Sequence, residues 1–246
     1  MQYLWILMGL LLTTFKMKEQ DSNSHKMLSD KDYLMGKFDP SKHPDFVKIP
    51  AQYTQLQNIY LRKEVLEAFK QMYEAAKKDN VYLTIVSATR NFEYQKSIWD
   101  RKWEALKNAD SSKKHPTSNL SKAKKILKYS AMPGASRHHW GTDIDLCNLE
   151  NNFFLTKSGK RIYEWLLKNA HLYGFCQTYT SLKEGERTGY NEEKWHWSYQ
   201  PTSRVFTENA SKILQDIDFQ DFDGCETASE IKIVSNYILG INKYCL

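Results

Sequence analysis

The segment Val81-Tyr82-Leu83-Thr84-Ile85-Val86 most narrows the folds open to this chain. It is apolar, β-branched and aromatic, too short to form a helix, and it follows directly on a helix-patterned stretch. In that stretch Val65, Leu66, Phe69, Met72, Tyr73 and Ala76 recur at i, i+3, i+4, i+7 spacing up to an Asp79-Asn80 stop. Phe92 to Leu106 reads as helix again, Gly159 to His171 as another, and a second strand starts at Phe175 after Tyr173-Gly174. Short strands kept apart by helices predict one α+β domain with a central antiparallel sheet flanked by helices. At 246 residues and 41% hydrophobic content the chain has ample material for a core, which excludes a disordered protein.

Before this unit, residues 21–58 are polar and punctuated by Asp39-Pro40, His43-Pro44 and Ile49-Pro50, which predicts an extended arm. Asn108 to Leu120 reads as a polar loop or lid, and Ser121 as the cap of a Lys-rich helix running to Tyr129 whose charges form a solvated face. Helices are expected near Arg204–Ile217 and Glu226–Tyr244, with packing as their role. The resulting division is an export segment at 1–20, the arm at 21–58, a catalytic unit at 59–200 and a helical extension at 201–246.

The apolar run Tyr3 to Phe15 is shorter than the roughly 20 residues of a spanning helix, which excludes a multi-pass membrane protein. With the polar segment after it, the run has the size of a signal peptide core, either cleaved or kept as a membrane anchor. Lys plus Arg total 35 against 29 Asp plus Glu, a mild excess without the clustering of a nucleic-acid binder, so no nucleic acid partner is expected. Cys147, Cys176, Cys225 and Cys245 form no CxxC motif and suit an oxidising compartment. If Glu226–Tyr244 is one helix its ends lie roughly 25–30 Å apart, too far for a Cys225–Cys245 bridge. The plain expectation is four free, buried thiols.

Chemistry concentrates in Ser136-Arg137-His138-His139-Trp140-Gly141-Thr142-Asp143-Ile144-Asp145 and in Glu193-Lys194-Trp195-His196. A catalytic zinc site needs three N/O ligands, an open position for water, and a carboxylate outside the metal shell to take the proton. Two histidines and one aspartate as ligands, with a glutamate as base, can be assembled from these two segments alone. Asp143, two residues before Asp145 on a strand, faces the same way and competes as ligand. By the same alternation Trp195 and Trp197 point away from His196 and wall the core or the groove.

The spacing S-x-H-x(6)-D followed by E-x-W-H resembles the paired signatures of the zinc D-alanyl-D-alanine carboxypeptidases of the VanY type. These share a zinc-site architecture with lysostaphin-like endopeptidases and the Hedgehog signalling domain. Ser87-Ala88-Thr89-Arg90 with Gln95 is similar to the family's S-G-Y-R-S-x-x-x-Q stretch, and Trp165-Leu166, Asn169-Ala170, Tyr173-Gly174-Phe175 and Thr188-Gly189-Tyr190 follow in the family's order. The resemblance implies one catalytic zinc ion held by His138, Asp145 and His196, with Glu193 as general base and acid. It implies that Arg90 stabilises the oxyanion or holds substrate, and that Ser136 and Gln95 bind the peptide terminus. The implied protein is an exported periplasmic or cell-envelope hydrolase that removes the C-terminal D-alanine from peptidoglycan stem peptides. Alternatives on the same fold are a cell-wall endopeptidase, with Asn108–Leu120 deciding what the groove admits, and a zinc-stabilised binding module, against which Glu193 argues.

Four positions depart from the family pattern. Asp143 replaces a small residue, His139 adds an imidazole with a surface or supporting role, Ser198 stands where relatives carry an arginine, and Lys194 replaces a proline without expected consequence.

Overall fold

A computed structural model describes residues 31–111, 114–182 and 187–246, so the expected export segment lies outside the described residues. Among the described residues no helix is long and apolar enough to cross a membrane. The chain begins with α1 (Lys31–Leu34) and a small antiparallel hairpin, β1 (Phe46–Lys48) with β2 (Tyr60–Arg62). Next come α2 (Lys63–Lys78), β3 (Ile85–Ser87), α3 (Phe92–Asp110) and α4 (Asn119–Ile126). The second half holds β4 (Asp143–Leu146), α5 (Lys157–Asn169), β5 (Phe175–Gln177), β6 (His196–Tyr199), α6 (Gln200–Ile213) and α7 (Ala228–Ile231). The four later strands form one antiparallel sheet in the order β3-β4-β6-β5, so the α+β reading with a central antiparallel sheet holds.

One core lies between this sheet and helices α2 and α5. The periodic residues of α2, Val65, Leu66, Phe69, Met72 and Ala76, are buried there against Ile144, Leu146, Phe175 and Trp197 from the strands. Each Val, Leu, Ile, Phe or Met side chain among them contributes about 1.5–3 kcal/mol on full burial. A second core gathers Trp99 and Trp103 of α3, Phe206 and Ala210 of α6, and Phe219, Phe222 and Ile238 near the C-terminus. Polar side chains of β4 and β6 occupy the layer between.

Several elements differ from their sequence-based limits. The run Val81–Val86 is extended, with Val81, Leu83 and Ile85 buried and Tyr82 62% exposed, but it pairs only at Ile85–Ser87. Its partner β4 ends at Leu146, and Cys147 takes a left-handed backbone with φ 68°. Helix α3 runs on to Asp110, whose carboxylate receives Thr117 N–H and Oγ1–H, while Ser118 and not Ser121 caps α4. The described part of the stretch expected as an extended arm, residues 31–58, packs into the fold: Tyr33, Leu34 and Met35 are buried in the second core.

The C-terminal helix expected over Glu226–Tyr244 is broken. Lys232 has φ 55°, and beyond it the chain forms a π-helical turn at Val234–Ile238 and a 3-10 turn at Lys243–Cys245. This return brings Cys245 to β5, where it is disulfide-bonded to Cys176 with Cα atoms 5.8 Å apart. The expectation of four free thiols is corrected to two, Cys147 and Cys225, both half-buried.

Candidate metal centre

Alternation along β4 sends Ile144 and Leu146 into the core and Asp143 and Asp145 to the opposite face. On β6 the same period sends Trp197 to the core and His196 and Ser198 to the polar face. Asp145 and His196 are direct cross-strand partners, as are Asp143 and Ser198, so these side chains leave the sheet side by side. Asp145 Oδ1 lies 3.1 Å from His196 Nδ1.

His138 reaches the same point from a 3-10 turn, Arg137–Trp140, that ends at Gly141 with φ 70°. A Cβ at Gly141 would sit 2.3 Å from the Phe46 ring, so the turn that aims His138 requires glycine both for its backbone and for space. His138 Nδ1–H donates to the Ala88 carbonyl at 2.8 Å, leaving Nε2 to face Asp145 Oδ2 at 3.3 Å. On His196 the roles are reversed: Nε2–H donates to Asp143 Oδ1 at 2.9 Å and Nδ1 is left facing the centre. Asp143 is thereby removed as a competing ligand and becomes the group that sets the tautomer of His196.

One donor atom from each of His138, Asp145 and His196 lies within 4.8 Å of the others, and all three residues are buried. His138 Nε2 and Asp145 Oδ1 have no hydrogen-bond partner of good geometry despite their burial. Two imidazole nitrogens and a carboxylate oxygen so oriented, with the remote nitrogens already bonded, could hold a metal ion and are of the types that bind catalytic zinc. Burial and the Arg90 charge hold the His138 imidazole below its ordinary value. Burial works against protonating His196 as well, but the hydrogen bond to Asp143 and the nearby negative charge of Asp145 lift it to about 9 in the metal-free protein. Burial opposes ionisation of Asp145, yet the two histidines keep its carboxyl well below the usual range.

Glu193 Oε2 is 3.5 Å from His196 Nδ1, and burial pushes its carboxyl up to about 8, opposed chiefly by His196. Its backbone is held on both sides: Glu193 N–H donates to Tyr179 O at 2.9 Å and its carbonyl accepts from Gln177 Nε2 at 3.2 Å. Asn151 ties the flanking residues, donating to Glu192 O and accepting Lys194 N–H at 3.2 Å. A proline at 194 has no such hydrogen to give, so Lys194 has a structural consequence that its sequence context did not announce.

Asp145 and Glu193 open on a cleft of about 610 Å³ whose walls include Arg90, Tyr94, Lys102, Tyr129 and Trp195. Trp195 precedes the first residue of β6, which lets it line the cleft while Trp197 enters the core. Ser136 and Gln95 do not line the cleft. Ser136 is buried at the start of the turn bearing His138, and its carbonyl accepts His139 N–H. Gln95 is wholly buried behind the wall, where Nε2 donates to Ala131 O at 2.8 Å and Oε1 has no partner. His139 is no surface group either: Nδ1–H donates to Arg90 O at 2.6 Å, Nε2 accepts Gly134 N–H at 3.1 Å, and burial drives it to about 3. No described residue of 108–120 lines the cleft, and Asn119 Nδ2 donates to Glu226 Oε1.

Comparison with known proteins bears on this site. The pattern of the VanY family, D-alanyl-D-alanine carboxypeptidase, matches residues 58–202. The chain is similar to YodJ of Bacillus subtilis (strain 168), with 33% identity over 201 residues that cover 78% of this chain and 63% of that protein. It is also similar to a D-alanyl-D-alanine carboxypeptidase of Enterococcus faecalis (strain ATCC 700802 / V583), 33% identical over 172 residues, 67% of this chain and 58% of that one. It thus spans less than two thirds of the length of either relative. Among solved structures it resembles the LdcB LD-carboxypeptidase, a structure described as revealing the molecular basis of peptidoglycan recognition. There the TM-score is 0.52 and the identity 27%, over 72% of this chain and 77% of that one.

Proposed function

The chain belongs to the VanY family of D-alanyl-D-alanine carboxypeptidases, and from that premise we propose that it is an exported zinc hydrolase that removes the C-terminal D-alanine from peptidoglycan stem peptides. The observation that carries this reading is the convergence of His138 Nε2, Asp145 and His196 Nδ1 within 4.8 Å, beside a buried glutamate that opens on the cleft. His138, Asp145 and His196 would hold one zinc ion, and residues 59–200 would form the catalytic unit. When bound, the ion supplies Lewis-acid polarisation of the scissile carbonyl and acidifies water towards a pKa of about 7.

The remaining work falls to side chains. Glu193 accepts a proton from the attacking water and returns it to the leaving amine nitrogen, a shuttle suited to a carboxylate held out of bulk solvent. Arg90, on the cleft wall, brings a fixed positive charge to the developing oxyanion or to the peptide carboxylate. Gln95 and Ser136 support the wall and the His138 turn from behind. The Cys176–Cys245 disulfide supports action in an oxidising compartment outside the cytoplasm.

Products from a stem pentapeptide ending in D-alanyl-D-alanine, resolved by mass spectrometry, test the proposal. Zinc-loaded wild type is expected to release one D-alanine, and Glu193→Ala to keep zinc and release none. Full turnover by Glu193→Ala would refute the assigned base. The likeness to LdcB favours a second reading, cleavage of an L,D bond in a tetrapeptide; a tetrapeptide trimmed while the pentapeptide stays intact would select it.

A further inference from the structure

Arg137 is 1% exposed, and its guanidinium is held in three directions. Nε lies 3.4 Å from Asp143 Oδ1, Nη1 donates to Thr207 Oγ1 at 2.9 Å, and Nη2 donates to Ser198 Oγ at 3.3 Å. The Trp140 ring covers its face at 4.5 Å. The hydroxyl protons leave no ambiguity about direction. Thr207 Oγ1–H donates back to Ser203 O within α6, so its lone pairs are free for Arg137. Ser198 Oγ–H donates to Asp143 Oδ2 at 3.0 Å, so Ser198 too accepts from Arg137. Thr142 Oγ1–H completes the coordination of Oδ2 at 2.6 Å.

A fully buried ion pair is a poor device for stability, because apolar residues of equal volume commonly serve packing as well or better. What it does provide is orientation, and here the carboxylate being oriented bonds the remote nitrogen of His196 at 2.9 Å.

We propose that Arg137 and Thr207 are positioning residues for the His196 imidazole, so that α6 is a working part of the metal centre. The inference rests on the zinc reading given above. Thr207 lies beyond residue 202, where the family match ends, so the line from α6 through Arg137 and Asp143 to His196 is a support that the match alone does not contain.

Zinc affinity, read by competition with a chromogenic chelator, and the visible spectrum of the cobalt(II)-substituted protein test this directly. Arg137→Met leaves the Asp143–His196 bond in place but frees the carboxylate that makes it, and is expected to weaken zinc binding about 10-fold, the lower end of the range for loss of a group supporting a ligand. Thr207→Val, which keeps the shape and removes the acceptor, is expected to weaken it in the same direction by less and to shift the cobalt bands, whereas Thr207→Ser restores both. The Val and Ser arms keep the test valid if Arg137→Met fails to fold. Wild-type affinity and an unshifted cobalt spectrum in folded Thr207→Val would overturn the proposal. Wild-type protein that takes up no zinc would overturn the zinc reading, and this inference with it.

Discussion

Replacing Cys176 and Cys245 together by serine removes a crosslink that spans 69 residues of sequence. In the chain-entropy account, closing a loop of that length lowers the entropy of the unfolded chain by about 15 cal/mol/K, or about 4.4 kcal/mol at 25 °C. The native side limits how much else changes. Asn242 N–H donates to Thr178 O at 2.9 Å, Asn242 Nδ2 donates to Gln177 O, and Gln200 Nε2 donates to Tyr244 O, so the C-terminal turn keeps its backbone anchors on β5 without the sulfurs. The loss should therefore appear as a lower urea midpoint, with little change in the native far-UV spectrum. Measured on metal-free protein, so that ligand binding adds nothing, the double variant is expected to lose about 3–4 kcal/mol against the oxidised wild type. Zinc affinity should be unchanged, because β5 carries none of the three proposed ligands. A loss below about 1 kcal/mol would refute the argument, since it would mean that the bridge does not confine the unfolded chain.

Three further outcomes are expected. Phe69→Ala empties the centre of the core between α2 and the sheet and should cost about 3–5 kcal/mol in denaturant unfolding, with zinc affinity retained by the folded fraction. Gly141→Ala sets a Cβ 2.3 Å from the Phe46 ring on a left-handed backbone; it should lower both stability and zinc affinity, because the turn it distorts carries His138, and unaltered metal binding would contradict that role. Burial raises Tyr163 to about 12 and holds Tyr33, Tyr179 and Tyr190 above the ordinary phenol value as well. Their contribution to stability is complete below about pH 10 and is lost as pH climbs through the folded values, so alkaline unfolding should coincide with phenolate absorbance. Tyr163→Phe should flatten that limb; a limb of unchanged slope would count against Tyr163.

The parts of this molecule legible in the sequence are those with a local period or a fixed spacing. Helix α2 shows its buried face at 3.6-residue intervals, and the two segments ending at Asp145 and His196 carry donor atoms whose types alone suggest zinc. The bonds that fix those donors are not local. Ala88 O receives His138, Asp143 receives His196, and Arg137 meets Thr207 across 70 residues, none of which has a signature in composition or period. The same limit explains the C-terminal error. Ile231, Val234, Ile238 and Ile241 do recur at helical spacing, but Lys232 turns left-handed, which brings Cys245 to Cys176. The arm failed in the opposite direction: its prolines predict turns, yet Tyr33 stacks on Phe38 and Phe206 and draws the segment into the core.

The direct pairing of Asp145 with His196 makes the centre all-or-none with respect to alignment of β4 and β6. A slip of one residue in either strand would turn a proposed ligand into the core and bring Ile144 or Trp197 out in its place. No misaligned sheet can then bind metal weakly while waiting to correct itself, and metal capture reports correct strand alignment. In lineages of this fold, insertions and deletions should accumulate in the connections on either side of β4 and β6 and be purged from within the strands, however small the change in size or polarity.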